Sequence, residues 1–277
     1  MSLIVSKKNL TENVVCMEVL EPKIAKKAKP GQFIIFKVGE TGERVPLTIA
    51  DTNIKNGTVT IVFQTVGVST MKLAALNTGD FITDFIGPLG NPSELPDVKK
   101  VAVIGGGLGC AIAYPQAKAL HEAGVNVELI AGFRSKDFVF WEEELKKVCS
   151  ILTICTDDGS YGMKGFVTNA LEDRMKVGDK FDAVIAIGPV PMMKNVCILT
   201  KKYNIKTIIS MNTIMIDGTG MCGGCRLTVD GKVKFACVDG PDFDGHSVDF
   251  NEVMRRNNNY RDLESKARDE HCRLLKL

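Results

Sequence analysis

No apolar run in these 277 residues is long enough to span a bilayer, and the opening Met1-Ser2-Leu3-Ile4-Val5 lacks the basic-then-apolar order of a signal peptide. Membrane insertion is not expected, and the chain reads as cytoplasmic. A basic block is missing too: Lys and Arg are interspersed with Asp and Glu to leave a formal net charge of +2, which gives no electrostatic case for nucleic acid or a membrane surface as partner. Nor is there the compositional bias of disorder. With 45% apolar and 25% charged residues the chain is an ordinary folded protein, long enough for more than one domain. Its nine cysteines, in a reducing compartment, are expected as ligands or core thiols rather than as disulfides.

Most of the ligand chemistry sits in one stretch, Asp217-Gly-Thr-Gly-Met-Cys222-Gly-Gly-Cys225, followed after a short β-like segment by Cys237. The spacing C-x4-C-x2-C with a distant fourth Cys is that of a plant-type [2Fe-2S] loop, and here Asp217 holds the first ligand position. A carboxylate supplies one negative charge and one donor atom, as a thiolate does, but it is harder and can take up a proton. Glycines suit a loop that wraps closely round an inorganic core. A structural zinc is the rival, but a zinc ribbon pairs two Cys-x2-Cys knuckles and here one knuckle faces a lone Cys237, which favours the cluster. Cys16, Cys110, Cys149, Cys155 and Cys197 carry no ligand spacing and read as buried apolar residues, while Cys272 falls in a polar tail.

Upstream, residues 13–19, 32–38, 45–50, 58–64 and 81–86 are short β-branched or aromatic runs separated by turn residues, a pattern for a small antiparallel barrel. One short helix, 70–76, is expected within it. It opens with Gly67-Val-Ser69-Thr70, where glycine and hydroxyl residues can cap the helix or receive a phosphate. From residue 98 the period changes: strands at 100–104, 126–131, 151–156, 183–187 and 206–211 alternate with helices at 110–123, 140–148, 167–174 and 192–202. That alternation indicates a parallel α/β sheet with helices on both faces. Its first strand ends in Gly105-Gly106-Gly107-Leu108-Gly109, where glycines let a backbone approach a pyrophosphate; Cys110 replaces the last Gly of the full fingerprint. The second strand ends in Gly132-Phe-Arg134, the third leads into Asp157, and the fourth runs into Gly188-Pro189-Val-Pro191-Met192, all at the carboxyl edge where ligands bind such sheets. Residues 240–246 read as turns and 251–277 as a charged, partly helical tail.

A barrel, then a nucleotide-type sheet, then a Cys-rich loop resembles the ferredoxin-reductase superfamily, in particular the electron-transfer subunit of dihydroorotate dehydrogenase B and, through Asp217, the small subunit of NADH-dependent ferredoxin:NADP oxidoreductase, also known as sulfide dehydrogenase. The dihydroorotate subunit carries Cys at that position. The resemblance divides the chain into an FAD-binding β-barrel (1–97), an NAD-binding α/β domain (98–212) and a [2Fe-2S] subdomain with its tail (213–277). It assigns flavin to Pro46-Leu47-Thr48, with the Thr48 hydroxyl facing the flavin N5 edge as the candidate catalytic group, and a flavin phosphate to Gly67, Ser69 and Thr70. Many relatives place an Arg three residues before that hydroxyl; here Val45 stands there and Arg44 precedes it. The resemblance gives the nicotinamide cofactor, NAD(H), to Gly105, Gly106, Gly107, Leu108, Gly109, Arg134, Gly188, Pro189 and Met192, and Asp157 joins them by its place at the carboxyl edge of the sheet. Asp217, Cys222, Cys225 and Cys237 hold the cluster. It implies an oxidoreductase subunit that exchanges hydride with NADH, and single electrons with a large partner subunit carrying FAD and [4Fe-4S] clusters, through which ferredoxin and NADPH are coupled by electron bifurcation. A dihydroorotate dehydrogenase subunit and a nucleotide-binding protein with zinc are the alternatives.

Overall fold

The computed structural model describes residues 1–274; the expectations for the Cys272 thiol and for the last three tail residues lie outside what it describes. Strands β1 (Ser2–Asn9), β2 (Val14–Leu20), β3 (Phe33–Lys37), β4 (Val45–Asn53), β5 (Thr58–Gln64), β6 (Phe81–Ile82) and β7 (Asp84–Leu89) form a nearly closed antiparallel barrel in the order β6-β1-β2-β5-β4-β3-β7. The alternation in β2 turns Val15, Met17 and Val19 inward onto Ile4, Phe36 and Phe63, all buried. Two features depart from expectation. The apolar run 81–86 is not one strand: it breaks at Thr83, so that β6 pairs with β1 and β7 with β3, at opposite edges of the same sheet. Besides the expected α2 (Val68–Ala75) there is a helix α1 (Pro22–Lys27), started by a proline whose missing N–H costs nothing at the first turn.

The second sheet contains β8 (Lys100–Gly106), β9 (Asn126–Phe133), β10 (Ile151–Thr156), β11 (Met163–Lys164), β12 (Ala183–Ile187) and β13 (Lys206–Ser210). Between them run α3 (Gly109–Glu122), α4 (Glu142–Lys146), α5 (Val167–Lys176) and α6 (Val190–Lys202). Along β8, Val101 and Val103 face one apolar cluster and Ala102 and Ile104 the other, which is why its sequence is continuously apolar instead of alternating. After β13 come a hairpin, β14 (Arg226–Val229) with β15 (Lys232–Phe235), then β16 (Asp242–Asp244), α7 (Phe250–Asn257) and α8 (Arg261–Leu274). The sheet order is β11-β10-β9-β8-β12-β13-β16, so the winding reverses at β8 and leaves a crevice beyond its carboxyl end.

β16 sets a short strand within residues 240–246, a segment expected to be turn-rich. It adds antiparallel to β13, with Ile209 opposite Phe243, and Phe243 is buried. The segment after the ligand loop thus closes one edge of the α/β sheet. Its neighbour contacts lock the parts together: Asp242 Oδ2 accepts from Ser93 Oγ at 2.6 Å and from Gln116 Nε2 at 2.9 Å, joining the stretch after the barrel, α3 and β16. Lys118 of α3 adds a second tie, 2.9 Å from Asp51 of β4. Among the described residues no helix is long and apolar enough to cross a membrane.

Candidate functional site

One cavity of about 830 Å³ runs between the barrel and the carboxyl ends of β8, β9, β10 and β12. Pro46, Leu47 and Thr48 of β4 form its barrel side, where Thr48 pairs with Phe33 of β3. Opposite lie Gly106, Gly107, Leu108, Gly109, Arg134, Asp157, Gly188, Pro189 and Met192, so the structure brings these sequence-distant residues to one space. Arg134 is exposed at the rim, and Asp157 is tied to β9 through its N–H to the Phe133 carbonyl at 3.0 Å.

The glycines of the 105–109 loop do different work. A Cβ on Gly105 would meet Cys110 Cα at 2.6 Å, one on Gly106 would meet Met192 Sδ at 2.4 Å, and one on Gly109 would meet the Ile187 carbonyl at 2.2 Å. These three permit close packing of strand, helix and the neighbouring loop. Gly107 alone has open space around it and adopts φ +55°, a conformation that L side chains rarely take, with its N–H donating to the Gly132 carbonyl at 2.8 Å. Cys110 behind the loop is buried, and burial pushes its thiol up to about 12, so it is an inert core group.

Four of the flavin and nicotinamide candidates do not line the cavity: Arg44, Gly67, Ser69 and Gly105. Arg44 is exposed, and the Ser69 hydroxyl is engaged by Glu43 Oε2 at 2.7 Å. Thr70 does line it, yet its Oγ1 accepts from the N–H groups of Val66 (3.2 Å) and Gly67 (3.1 Å) and donates to the Gly67 carbonyl (2.9 Å). Its hydroxyl therefore caps α2, and the first-turn N–H groups are what that helix end has left for an anion. Sequence reading missed Gln64, Phe166, Asn195, Ser210, Asn212 and Thr213, which also line the space. The last three lie at the carboxyl end of β13, and reading that end as the other four strand ends were read would have found them. Thr213 is buried and its Oγ1 has no partner among the described residues.

Residues 211–215 carry the cavity wall into the ligand loop, Met211 and Met215 lining the space and Asp217 following shortly after. Asp217 Oδ1 accepts from the Thr219 N–H and from Thr219 Oγ1 (2.7 Å), and Oδ2 from the Cys222 N–H (2.7 Å). These Thr219 and Cys222 donors hold its carboxyl far below the usual carboxylate range. Gly218, at φ +74°, passes over the barrel so closely that a Cβ would meet Ile35 Cδ1 at 2.7 Å. On the other side, Asp230 (φ +50°) and Gly231 (φ +68°) turn the β14–β15 hairpin, both residues left-handed as a two-residue turn of this hand requires. That turn brings Cys225 and Cys237 to the open end of the hairpin, with their Sγ atoms 3.2 Å apart and both buried. Burial, then the neighbouring Cys225, raises the Cys237 thiol, and the Gly220 N–H opposes the rise. Cys222 is exposed, with the Gly224 N–H on its Sγ at 3.4 Å.

Asp217 thus holds the Cys222 backbone, and the Cys225 and Cys237 thiols stand against each other. Among the described residues no three His, Cys, Asp or Glu side chains gather about a point to hold a single ion. The residues present fit an iron–sulfur core: a donor set of three thiols and a carboxylate, with the Gly224 N–H turned to Cys222 Sγ. The eight described cysteines are free, with Cys110, Cys149, Cys155 and Cys197 buried as expected and Cys16 only half-buried.

Comparison with known proteins agrees with this layout. The iron-sulfur cluster binding domain of dihydroorotate dehydrogenase B matches residues 212–249. The dihydroorotate dehydrogenase B (NAD(+)) electron transfer subunit homolog of Thermotoga maritima is 45% identical, covering 94% of this chain and 92% of its own length. The corresponding electron transfer subunit of Geobacillus thermodenitrificans is 34% identical over 87% of this chain and 94% of its own. A solved structure of an NADH-dependent reduced ferredoxin-NADP oxidoreductase superposes with a TM-score of 0.93 at 42% identity, covering 98% of both chains. An Amycolatopsis cytochrome P450 reductase, 21% identical with a TM-score of 0.61 over 73% of this chain and 65% of its own, shares the fold. With its barrel, switch-point cavity and cluster loop in this order, the chain belongs to the family of dihydroorotate dehydrogenase B electron-transfer subunits and their homologues, oxidoreductase subunits of ferredoxin-reductase fold.

Proposed function

We propose that this chain exchanges hydride between NAD(H) and FAD in the 830 Å³ cavity and passes single electrons through a [2Fe-2S] cluster to a large partner subunit, in NADH-dependent reduced ferredoxin–NADP oxidoreduction of the bifurcating kind. The observation that carries this reading is continuity. One space is walled by Pro46, Leu47 and Thr48, by Gly107 and Gly188, and by the 211–215 segment that runs on into Asp217. Bound flavin supplies the conversion between two-electron and one-electron transfer. The chain's part is placement: β4 presents the Thr48 hydroxyl, Gly107 lets a pyrophosphate approach the backbone, and Arg134 offers a cation at the rim. The apolar lining, Phe33, Leu47 and Met192 among it, keeps water from the reacting faces.

Asp217, Cys222, Cys225 and Cys237 are the proposed ligands, and residues 1–97, 98–212 and 213–277 the proposed flavin, nicotinamide and cluster units. The location is the cytoplasm, which the free thiols support. The partner carries a second flavin and [4Fe-4S] clusters and handles ferredoxin and NADPH. The names of the 34–45% identical relatives favour a second reading, service to dihydroorotate oxidation. Co-expression with candidate large subunits separates the two. The purified complex should absorb as flavin plus iron–sulfur, bleach with NADH, and reduce NADP from NADH and reduced ferredoxin together. Reduction driven by dihydroorotate alone would overturn the assignment in favour of the second reading, and a colourless protein would overturn both.

A further inference from the structure

Helix α7 (Phe250–Asn257) lies just past the matched cluster-binding stretch, which ends at residue 249, and its last turn reaches back to the ligand loop. It is firmly seated. Asp249 Oδ1 caps it by accepting from the N–H groups of Asn251 and Glu252, both at 3.0 Å, and Phe250 and Val253 are buried beneath it. Glu252 Oε2 accepts from the Thr228 N–H at 2.9 Å, and Asn257 Nδ2 donates to the Asn212 carbonyl at 3.0 Å. The helix is thus tied to β14 after the knuckle and to the chain before the loop. From this base the half-buried Arg256 Nη2 donates to the Gly224 carbonyl at 3.1 Å. The exposed Arg226 Nη1 donates to the preceding carbonyl, Gly223, at 3.4 Å.

These two carbonyls belong to successive peptides of the Cys222-Gly-Gly-Cys225 knuckle. The Gly223 carbonyl is turned away from the Cys222 thiol, which meets the N–H of the same peptide, because the N–H and carbonyl of a planar trans peptide point opposite ways. The Gly223–Gly224 peptide has the Gly224 N–H on Cys222 Sγ at 3.4 Å; in the Gly224–Cys225 peptide, whose carbonyl Arg256 holds, planarity puts the Cys225 N–H on the side away from Arg256. We propose that Arg256, with Arg226, is a cationic clasp on the outer face of the knuckle that orients its N–H groups toward the cluster and raises its reduction potential. Arg256 is a positioning residue in this scheme. The inference rests on the cluster assignment above.

The physics is that of a negatively charged core. A cluster held by three thiolates and a carboxylate gains negative charge on reduction, so fixed positive charge nearby and N–H donors on its sulfurs both favour the reduced form. A carbonyl that accepts from guanidinium also polarises its peptide and strengthens the N–H at the other end. Arg256 is more sheltered than Arg226 and its bond is the shorter, so it carries the larger share.

The test uses the full chain with its partner subunit, comparing the parent with Arg256→Gln, Arg256→Lys and Arg226→Gln by iron content, rate of iron loss to a chelator, and potentiometric titration followed by electron paramagnetic resonance. Arg256→Gln should lower the reduced-to-oxidised ratio at fixed ambient potential at least tenfold, equivalent to 59 mV for one electron. Arg256→Lys, which keeps charge but not the planar fork, should fall between, and Arg226→Gln should move the potential less in the same direction. Both Arg256 variants should lose iron faster. A full iron complement with parent-like potentials in Arg256→Gln would overturn the clasp. Should that variant not fold, a parent-like potential and chelation rate in Arg256→Lys together with Arg226→Gln would overturn it equally. A parent without iron would instead remove the cluster assignment itself.

Discussion

The proposed donors of the cluster all fall between Asp217 and Cys237, joined by one hairpin, whereas the cavity draws its walls from Asn13 to Pro241. In the loop, local backbone geometry sets the shape, with Arg256 added from α7: left-handed Asp230 and Gly231 turn the hairpin, and Asp217 ties the loop to itself through Thr219 and Cys222. In the cavity no local rule suffices, because Thr48 and Gly107 meet only after a barrel and a sheet have packed through α3. The lesson is about fragility. A single side-chain loss should disable the loop completely, while the cavity should lose function by degrees.

The sharpest way to test that contrast is Cys225→Ala or Cys237→Ala. Each should remove the iron signal entirely and leave flavin bound, checked by iron analysis and flavin absorbance in the same sample; full iron in either variant would take that residue out of the ligand set. Next in size is Gly107→Val, which forces a β-branched side chain into φ +55° at a cost of about 1–2 kcal/mol and shifts the backbone a pyrophosphate would meet. Reduction of the flavin by NADH in a stopped-flow experiment should slow at least about tenfold, with flavin content unchanged. A parent-like rate would reduce the glycine loop to a turn.

Glu128 sits toward the far end of β9 from the cavity, 3% exposed, 2.7 Å from Lys100 and 2.9 Å from both Arg174 Nε and Nη2. Glu128→Gln should cost about 2 kcal/mol, read by chemical denaturation, because it removes the charge-assisted bonds to Lys100 and Arg174, while Asp179, 2.6 Å from Lys100 and 3.0 Å from Arg174, keeps both cations paired. It should not alter NADH kinetics. A change in those kinetics would mean that the two ends of the sheet are coupled, against the picture of a cavity that depends only on its own edge.

The smallest effect is expected at Asp242, whose carboxyl is held above its ordinary value by burial, with Ser93 and Ser210 opposing. Its Oδ1 is shielded from water and lacks a partner among the described residues, although the residue as a whole is half-buried. The folded state therefore holds the proton more tightly than the unfolded one. The stability this gives is fully present below the unfolded value of about 4 and declines as pH rises through the higher folded value. Asp242→Asn should flatten the Tm profile across that acidic window and raise Tm slightly at neutral pH, where the parent buries a charged carboxylate; an unchanged profile would show that Asp242 ionises freely in the fold.

Much of this was legible before any coordinates. The period change at residue 98, the glycine loop after the first parallel strand and the ligand spacing are local signals, carried by neighbouring residues whose backbone preferences do not depend on distant contacts. The division of 81–86 into β6 and β7 was not legible, because the apolar pattern is the same whether one strand continues or two edges share it; only the pairing with Ser2 on one side and Lys37 on the other decides. Nor was β16, whose short Asp-Phe-Asp has strand form because β13 offers an open edge. At the site, sequence alone determined which residue types could hold a cluster or admit a phosphate, since spacing and φ preference are properties of the chain. Tertiary structure decided that Thr70 caps, that Gly105, Gly106 and Gly109 pack while Gly107 faces open space, and that Arg256 returns to the knuckle. Those outcomes depend on which group is nearest in space, and chain order does not encode that distance.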